Sequence, residues 1–133
     1  MKHLGIDYGS KRIGLALSDD AGKFALPKKV IETRGAGDPV DLVAAFMKEN
    51  KVDAVVIGES RDYKGTKNKI MLQASTFAEE LAQRTGVPVH MEPEFMTSHQ
   101  ASRTQHELGG DGETVDASAA AIILQSFLDR RSQ

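Results

Sequence analysis

The chain has 133 residues, 40% hydrophobic and 27% charged, with a formal net charge of −2 and no cysteine. That length suits one domain with a proper core, and zero cysteines exclude a disulfide framework, a thiol nucleophile and a cysteine zinc site. No apolar run approaches the roughly 18 residues of a membrane span and no signal peptide precedes the first strand, so a cytoplasmic protein without membrane contact is expected.

The chain opens on Leu4-Gly-Ile-Asp-Tyr-Gly-Ser-Lys-Arg-Ile-Gly-Leu-Ala-Leu-Ser18, which reads as two strands and a tight turn. Leu4, Ile6 and Tyr8 alternate on one face of the first strand and leave Gly5, Asp7 and Gly9 on the other. Gly9-Ser10 is a two-residue hairpin signal, and Ile13, Leu15 and Leu17 line one face of the returning strand. A carboxylate centred in an apolar strand and flanked by glycines has room beside it for a cation carrying a phosphate. The plainer reading is that a nearby Lys or Arg satisfies Asp7.

Phe24–Thr33 reads as a third strand, an edge or irregular one because it contains Pro27. Gly35-Ala-Gly-Asp-Pro39 marks a turn and a helix start, and Val40, Leu42, Val43, Phe46 and Met47 form that helix's apolar stripe. Asp53–Gly58 is a short apolar run typical of a buried parallel strand. A polar, basic loop is expected over Glu59–Lys69. A helix then runs to about Thr85, with Ile70, Leu72, Phe77, Ala78 and Leu81 as core positions, and Gly86-Val-Pro ends it. Val87–Glu94 reads as a last strand. Thr97-Ser-His-Gln100 resembles a capping box, predicting a helix from Ser98 to about Leu108. After the Gly109–Gly112 break, Thr114 can cap a final helix carrying Val115, Ala119, Ile122, Ile123, Gln125 and Phe127. The expected fold is α/β, a mixed sheet of a three-strand antiparallel meander plus two parallel strands, with helices on both faces.

Three acids fall where strands end or helices begin: Asp7, Glu94 and Asp116. A helix packed across the first strand would bring Asp116 near Asp7. Carboxylates gathered without cations repel one another, and hard divalent ions with oxygen ligands relieve that. Two Mg²⁺ or Mn²⁺ ions on such a cluster suit phosphodiester cleavage. Taken singly, Asp116 equally suits the helix dipole and Glu94 a surface loop. The charge distribution points the same way. Residues 1–70 carry 13 Lys/Arg against 10 Asp/Glu, and residues 71–133 carry 4 against 9. Lys11 and Arg12 beside the first turn, with Arg61, Lys64, Lys67 and Lys69 further on, form a basic rim able to contact nucleic-acid phosphates, although on charge alone a solvated surface loop accounts for them equally well.

The motifs Asp7-Tyr-Gly-Ser-Lys-Arg-Ile-Gly14, Val55-Val-Ile-Gly58 with Gly65, and Val115-Asp-Ala-Ser-Ala-Ala-Ala-Ile-Ile-Leu-Gln125 resemble the YqgF family, in the right order across essentially the whole chain. The resemblance implies a ribonuclease-H-like fold related to RuvC-type resolvases. It also implies a metal-dependent nuclease that matures the 5′ end of pre-16S ribosomal RNA, with junction-resolvase action on branched DNA as the alternative. Two segments depart from the family pattern. Pro93-Glu94-Phe95 stands where Asp-Glu-Arg is usual, so a bidentate phosphate donor is replaced by a phenyl ring. Glu59-Ser60 stands where Leu-Pro is usual, and RuvC-type resolvases carry an acid on this strand. Glu59 is therefore a rival to Glu94, or an addition to it, as second metal ligand. Other classes also stay open. An Asp-x-Gly-Ser hairpin opens actin-like sugar kinases and chaperone ATPases, although these need a second such domain. A binder of RNA or of a protein partner on a nuclease fold would need no metal.

Overall fold

The computed structural model describes residues 1–9, 11–33, 35, 37–59, 67–92 and 112–131, and of 59, 67–71 and 112–117 the backbone alone. Its five strands are β1 (His3–Tyr8), β2 (Arg12–Ser18), β3 (Ala25–Glu32), β4 (Ala54–Glu59) and β5 (Val89–Glu92). The helices are α1 (Pro39–Glu49), α2 (Lys67–Thr85) and α3 (Gly112–Arg131). The sheet order is β3-β2-β1-β4-β5. β1 and β2 pair antiparallel, as do β2 and β3, whereas β4 runs parallel to both β1 and β5. Meander, parallel pair and helices on both faces follow the expected plan. The predicted helix over 98–108 lies outside the described residues, as do the last two residues of the predicted 87–94 strand, whose described part begins at Val89.

Period-two patterning decides which side of each strand is core. Leu4, Ile6, Ile13, Leu15, Leu17, Val55 and Ile57 are buried on one face, where α1 contributes Val40, Val43 and Met47 and α2 contributes Phe77, Ala78 and Leu81. On the other face Ala16 and Val56 meet Ala120, Ile123, Leu124 and Leu128 of α3. Pro27 sits on β3, an edge of the sheet, where the ladder bond it cannot donate is not needed.

The helix ends follow from local chemistry. Asp38 caps α1 by accepting the Val40 N–H at 3.0 Å, and Pro39 fills the first turn. Gly86, at φ 70°, ends α2 in the left-handed region with its N–H on the Ala82 carbonyl.

Four expectations are corrected. Gly9 belongs to the end of the strand pair rather than to the turn, since its N–H donates to the Arg12 carbonyl opposite it. α2 begins at Lys67, so Lys67 and Lys69 are helical rather than part of a loop. Leu72 is 70% exposed, because the α2 stripe runs through Ala74, Phe77, Ala78 and Leu81 and position 72 falls off it. The last helix starts at Gly112, ahead of Thr114.

Candidate active site

Asp7 is 8% exposed, near the end of β1. It pairs with Gly14 on β2 and Gly58 on β4, so neither flanking strand puts a side chain beside its carboxylate. Partners in register share a face. The Asp7 face therefore carries His3, Gly5, Asp7, Gly14, Ala16, Ser18, Ala54, Val56, Gly58, His90 and Glu92. Small residues dominate it, and they set how closely α3 approaches.

A Cβ on Gly5 would lie 2.6 Å from Leu124 Cβ and 2.8 Å from the Ala120 carbonyl oxygen; one on Gly58 would lie 2.3 Å from Ile123 Cδ1. The two glycines are sockets for the helix. Because Ala120 and Leu124 lie over Gly5 while Phe127 lies 5.8 Å from His3, α3 runs antiparallel to β1. Its N-terminal part lies towards the Asp7 end of the strand, and Asp116 is one turn before Ala120. The expected approach of the last helix to the first strand is thus built into the sheet face by glycine.

The other end of α3 is tied down by polar contacts. Gln125 accepts the Ala25 N–H through Oε1 at 2.9 Å and donates from Nε2 to the Lys23 carbonyl at 2.8 Å, joining α3 to the start of β3. Phe127 packs between His3 and His90, with the Arg131 guanidinium over its ring at 5.5 Å.

Two titratable groups on this face carry no assignment from the sequence. Glu92, buried on β5, pairs in register with Gly58 and forms an ion pair with Arg130. It shares a row with Asp7, but Ile123 stands over Gly58 between them. Glu92 therefore anchors α3 to β5 rather than joining the Asp7 carboxylate. Alternation along Val89–Glu92 is the sequence signal that could have found it. His3 is 4% exposed and its ring nitrogens make no hydrogen bond among the described residues. Burial holds its pKa below the usual histidine value, the positive charges of Arg131, the N-terminus and His90 add to this, and the Met1 carbonyl opposes it.

Of the remaining candidates, Lys11 and Arg12 are exposed at the turn beside Asp7, with the Lys11 carbonyl accepting from Thr33 N–H and Oγ1. Glu59 ends β4 opposite Tyr8, one register step beyond the Asp7–Gly58 pair. Lys67 and Lys69 begin α2, whereas Glu94, Arg61 and Lys64 lie outside the described residues. Among the described residues no three acidic or histidine side chains converge as a metal cluster; the side chains of Glu59, Glu94 and Asp116 are not in that set. Tyr8 packs on Phe77 with ring centres 5.0 Å apart, as its core-facing parity requires. Burial and the Glu80 charge raise its phenol pKa.

Comparisons with known proteins give the family and the fold. The sequence model of the family described as RuvX, Holliday junction resolvase, matches residues 1–130. A candidate pre-16S rRNA nuclease of Anaeromyxobacter sp. (strain Fw109-5) is 38% identical over 135 residues, covering 98% of each chain. Another, of Nitratidesulfovibrio vulgaris (strain DSM 19637 / Miyazaki F), is 37% identical and covers 97% of this chain and 94% of its own. Among solved structures, T. thermophilus RuvC in complex with a Holliday junction substrate superposes with TM-score 0.62 at 21% identity, covering 99% and 96% of the two chains. The fowlpox virus Holliday junction resolvase gives 0.61 at 11% identity, covering 98% and 99%. At those identities the two structures establish the ribonuclease-H-like fold. The chain belongs to the RuvX Holliday junction resolvase family, a family of resolvase-like nucleases, as its YqgF-like opening and closing motifs implied.

Proposed function

We propose that this chain is a single-domain, cytoplasmic, metal-dependent nuclease that cleaves phosphodiester bonds in maturing the 5′ end of pre-16S ribosomal RNA. The observation that carries the reading is the buried Asp7 carboxylate, set between two glycine positions at the end of β1 that the N-terminal part of α3 approaches. Support for the RNA substrate comes from the names of the relatives that match over nearly the full chain.

The donor chemistry fits a hard cation. Asp7 offers carboxylate oxygens on a face otherwise lined near it by glycine, with no histidine paired beside it among the described residues and no cysteine in the chain. In this reading Asp7, Asp116 and either Glu94 or Glu59 hold two Mg²⁺ or Mn²⁺ ions. Such ions, when bound, lower the pKa of a water to make it a nucleophile and stabilise the leaving oxygen. The protein's own share is to hold Asp7 rigidly in a hydrogen-bonded strand and to neutralise the scissile backbone with Lys11, Arg12, Arg61, Lys64, Lys67 and Lys69. Such contacts position phosphates without reading sequence, so RNA shape and single-strandedness would supply selectivity.

The test is cleavage of a labelled RNA carrying the pre-16S 5′ leader, run beside a four-way DNA junction in Mg²⁺ and in Mn²⁺. Asp7→Asn and Asp116→Asn should each abolish cleavage, and Glu94→Gln and Glu59→Gln should show which completes the site. Full activity in Asp7→Asn would sink the mechanism. Preferential cutting of the junction would move the substrate to branched DNA, the reading favoured by the family's description as resolvases. RNA binding that persists in EDTA, with neither substrate cut, would make the chain a binding protein.

A further inference from the structure

The β3 edge of the sheet combines charge and apolar exposure in a way its fold does not require. Lys23, Lys28 and Lys29 are exposed there, and among the described residues none of their ammonium groups makes an ion pair. Beside them Phe24 is 65% exposed and Leu26 is 56% exposed. Lysines and a proline alone would be the ordinary protection of a sheet edge against pairing with another chain. An exposed phenyl ring and an exposed leucine are the opposite of such protection, so edge protection does not account for the strip.

One end of the strip lies level with the candidate active site. Lys29 pairs with Leu15 and so shares the α1/α2 face, one residue from the Val30 that pairs with the Gly14 beside Asp7. Strands about 4.8 Å apart put β3 roughly 10 Å from β1. Above Lys29 the strip runs on to the exposed Arg12 and Lys11, since Arg12 pairs with Glu32 and the Thr33 N–H donates to the Lys11 carbonyl. Below, it runs to Phe24 and Lys23. Asp19, Asp20 and Glu32 lie along this path, with Asp129 near Lys23 through the shared Gln125 amide, and Asp19 already accepts the Lys23 and Phe24 N–H groups. One cleft between the start of α1 and α2 has the opposite character: about 430 Å³, it is lined by Tyr8, Asp38, Val40, Phe77 and Glu80, with two carboxylates that would repel phosphate.

Cations spaced along a strand, interleaved with an exposed aromatic ring, are the elements by which proteins follow a single-stranded nucleic acid without reading its sequence. We propose that the β3 edge and the residues leading into it are a single-strand track for RNA leading away from the cleavage end, with Lys28, Lys29 and Lys23 on its phosphates and Phe24 stacked on a base. The proposal rests on the reading of the chain as acting on nucleic acid and names where that substrate lies. An eight-residue strand spans about 26 Å, enough for several nucleotides.

The probe is a labelled single-stranded RNA of about 20 nucleotides, with binding to the full chain measured in EDTA over a series of salt concentrations. Lys28→Ala/Lys29→Ala should weaken binding and lower the slope of log K against log salt by about 1.4, the loss expected for two single-strand phosphate contacts. Phe24→Ser should weaken binding about tenfold with the slope unchanged, as removal of one base stack does. Thermal midpoints within a degree or two of wild type would confirm that these exposed changes leave the fold intact. Unaltered affinity and slope in both variants would overturn the track, whatever Asp7→Asn does to cleavage. Retained cleavage in Asp7→Asn together with weakened binding in the β3 variants would overturn the nuclease mechanism and leave the track standing.

Discussion

The two faces of the sheet are built on different terms. Towards α1 and α2, β1 presents Leu4 and Ile6, fully buried against Leu15, Ile57, Val43 and Leu81. Towards α3, the same strand presents His3, Gly5 and Asp7, and its neighbours offer Gly14, Ala16, Val56 and Gly58. The first face buries large side chains and supplies most of the hydrophobic stabilisation. The second gives up side-chain volume so that helix backbone comes within contact of strand backbone, and it is there that the buried ionisable groups collect. If Asp7 carries the proposed cleavage, stability and chemistry are divided between alternate residues of one strand. Adjacent positions should respond differently to substitution.

Leu4→Ala should show the largest stability loss, about 2–5 kcal/mol, because Leu4 is completely buried and its loss leaves a cavity. Denaturant midpoints would measure it, and cleavage per folded molecule should survive. Gly5→Ala should cost less, about 1–3 kcal/mol of overpacking. The added methyl has no room against Leu124 Cβ and the Ala120 carbonyl, so α3 must shift and cleavage should fall more than stability does. If Leu4→Ala were the more damaging to catalysis, the division between faces would be wrong. Gly58→Ala should be milder than Gly5→Ala, since it meets the Ile123 side chain, whose tip can rotate, rather than backbone. Asp38→Ala removes the α1 cap at the rim of the α1/α2 face and should cost about 1 kcal/mol.

The α3 face should also make stability pH-dependent. His3 has a folded-state pKa below its unfolded value, so the unfolded chain binds the proton more readily. The His3 contribution is fully present above the unfolded value of about 6.5 and is lost as pH falls from there through the lowered folded value. Denaturant midpoints measured between pH 7.5 and pH 5 should decline. His3→Phe should flatten that decline, and an equal slope in wild type and variant would remove His3 as the cause.

Much of this was readable from the chain alone, and the misses are instructive. Alternation from Leu4 to Tyr8 put Asp7 and the glycines on one face without any structure, because strand geometry leaves no other choice. Pro27 marked an edge strand and Asp38-Pro39 a helix start, each by a local hydrogen-bond rule. Leu72 is apolar yet lies off the buried stripe of α2, and the place of Glu92 is fixed by its pairing with Arg130 on α3 rather than by its position in the strand. Neither feature is local. Each depends on which surface the element meets.

The amino-acid sequence by itself determined the order and type of the elements, the parity that places Asp7, and the YqgF-like motifs that identify the family, since all of these follow from short-range geometry and residue spacing. Only the tertiary structure decided that Gly5 and Gly58 are sockets for Leu124 and Ile123, that Glu92 answers to Arg130 and not to Asp7, and that Lys28, Lys29 and Phe24 share an open edge. The sockets and the Glu92–Arg130 pair join residues from 38 to 119 positions apart in the chain. The space between such residues is set by the packing of whole elements, which no local pattern encodes.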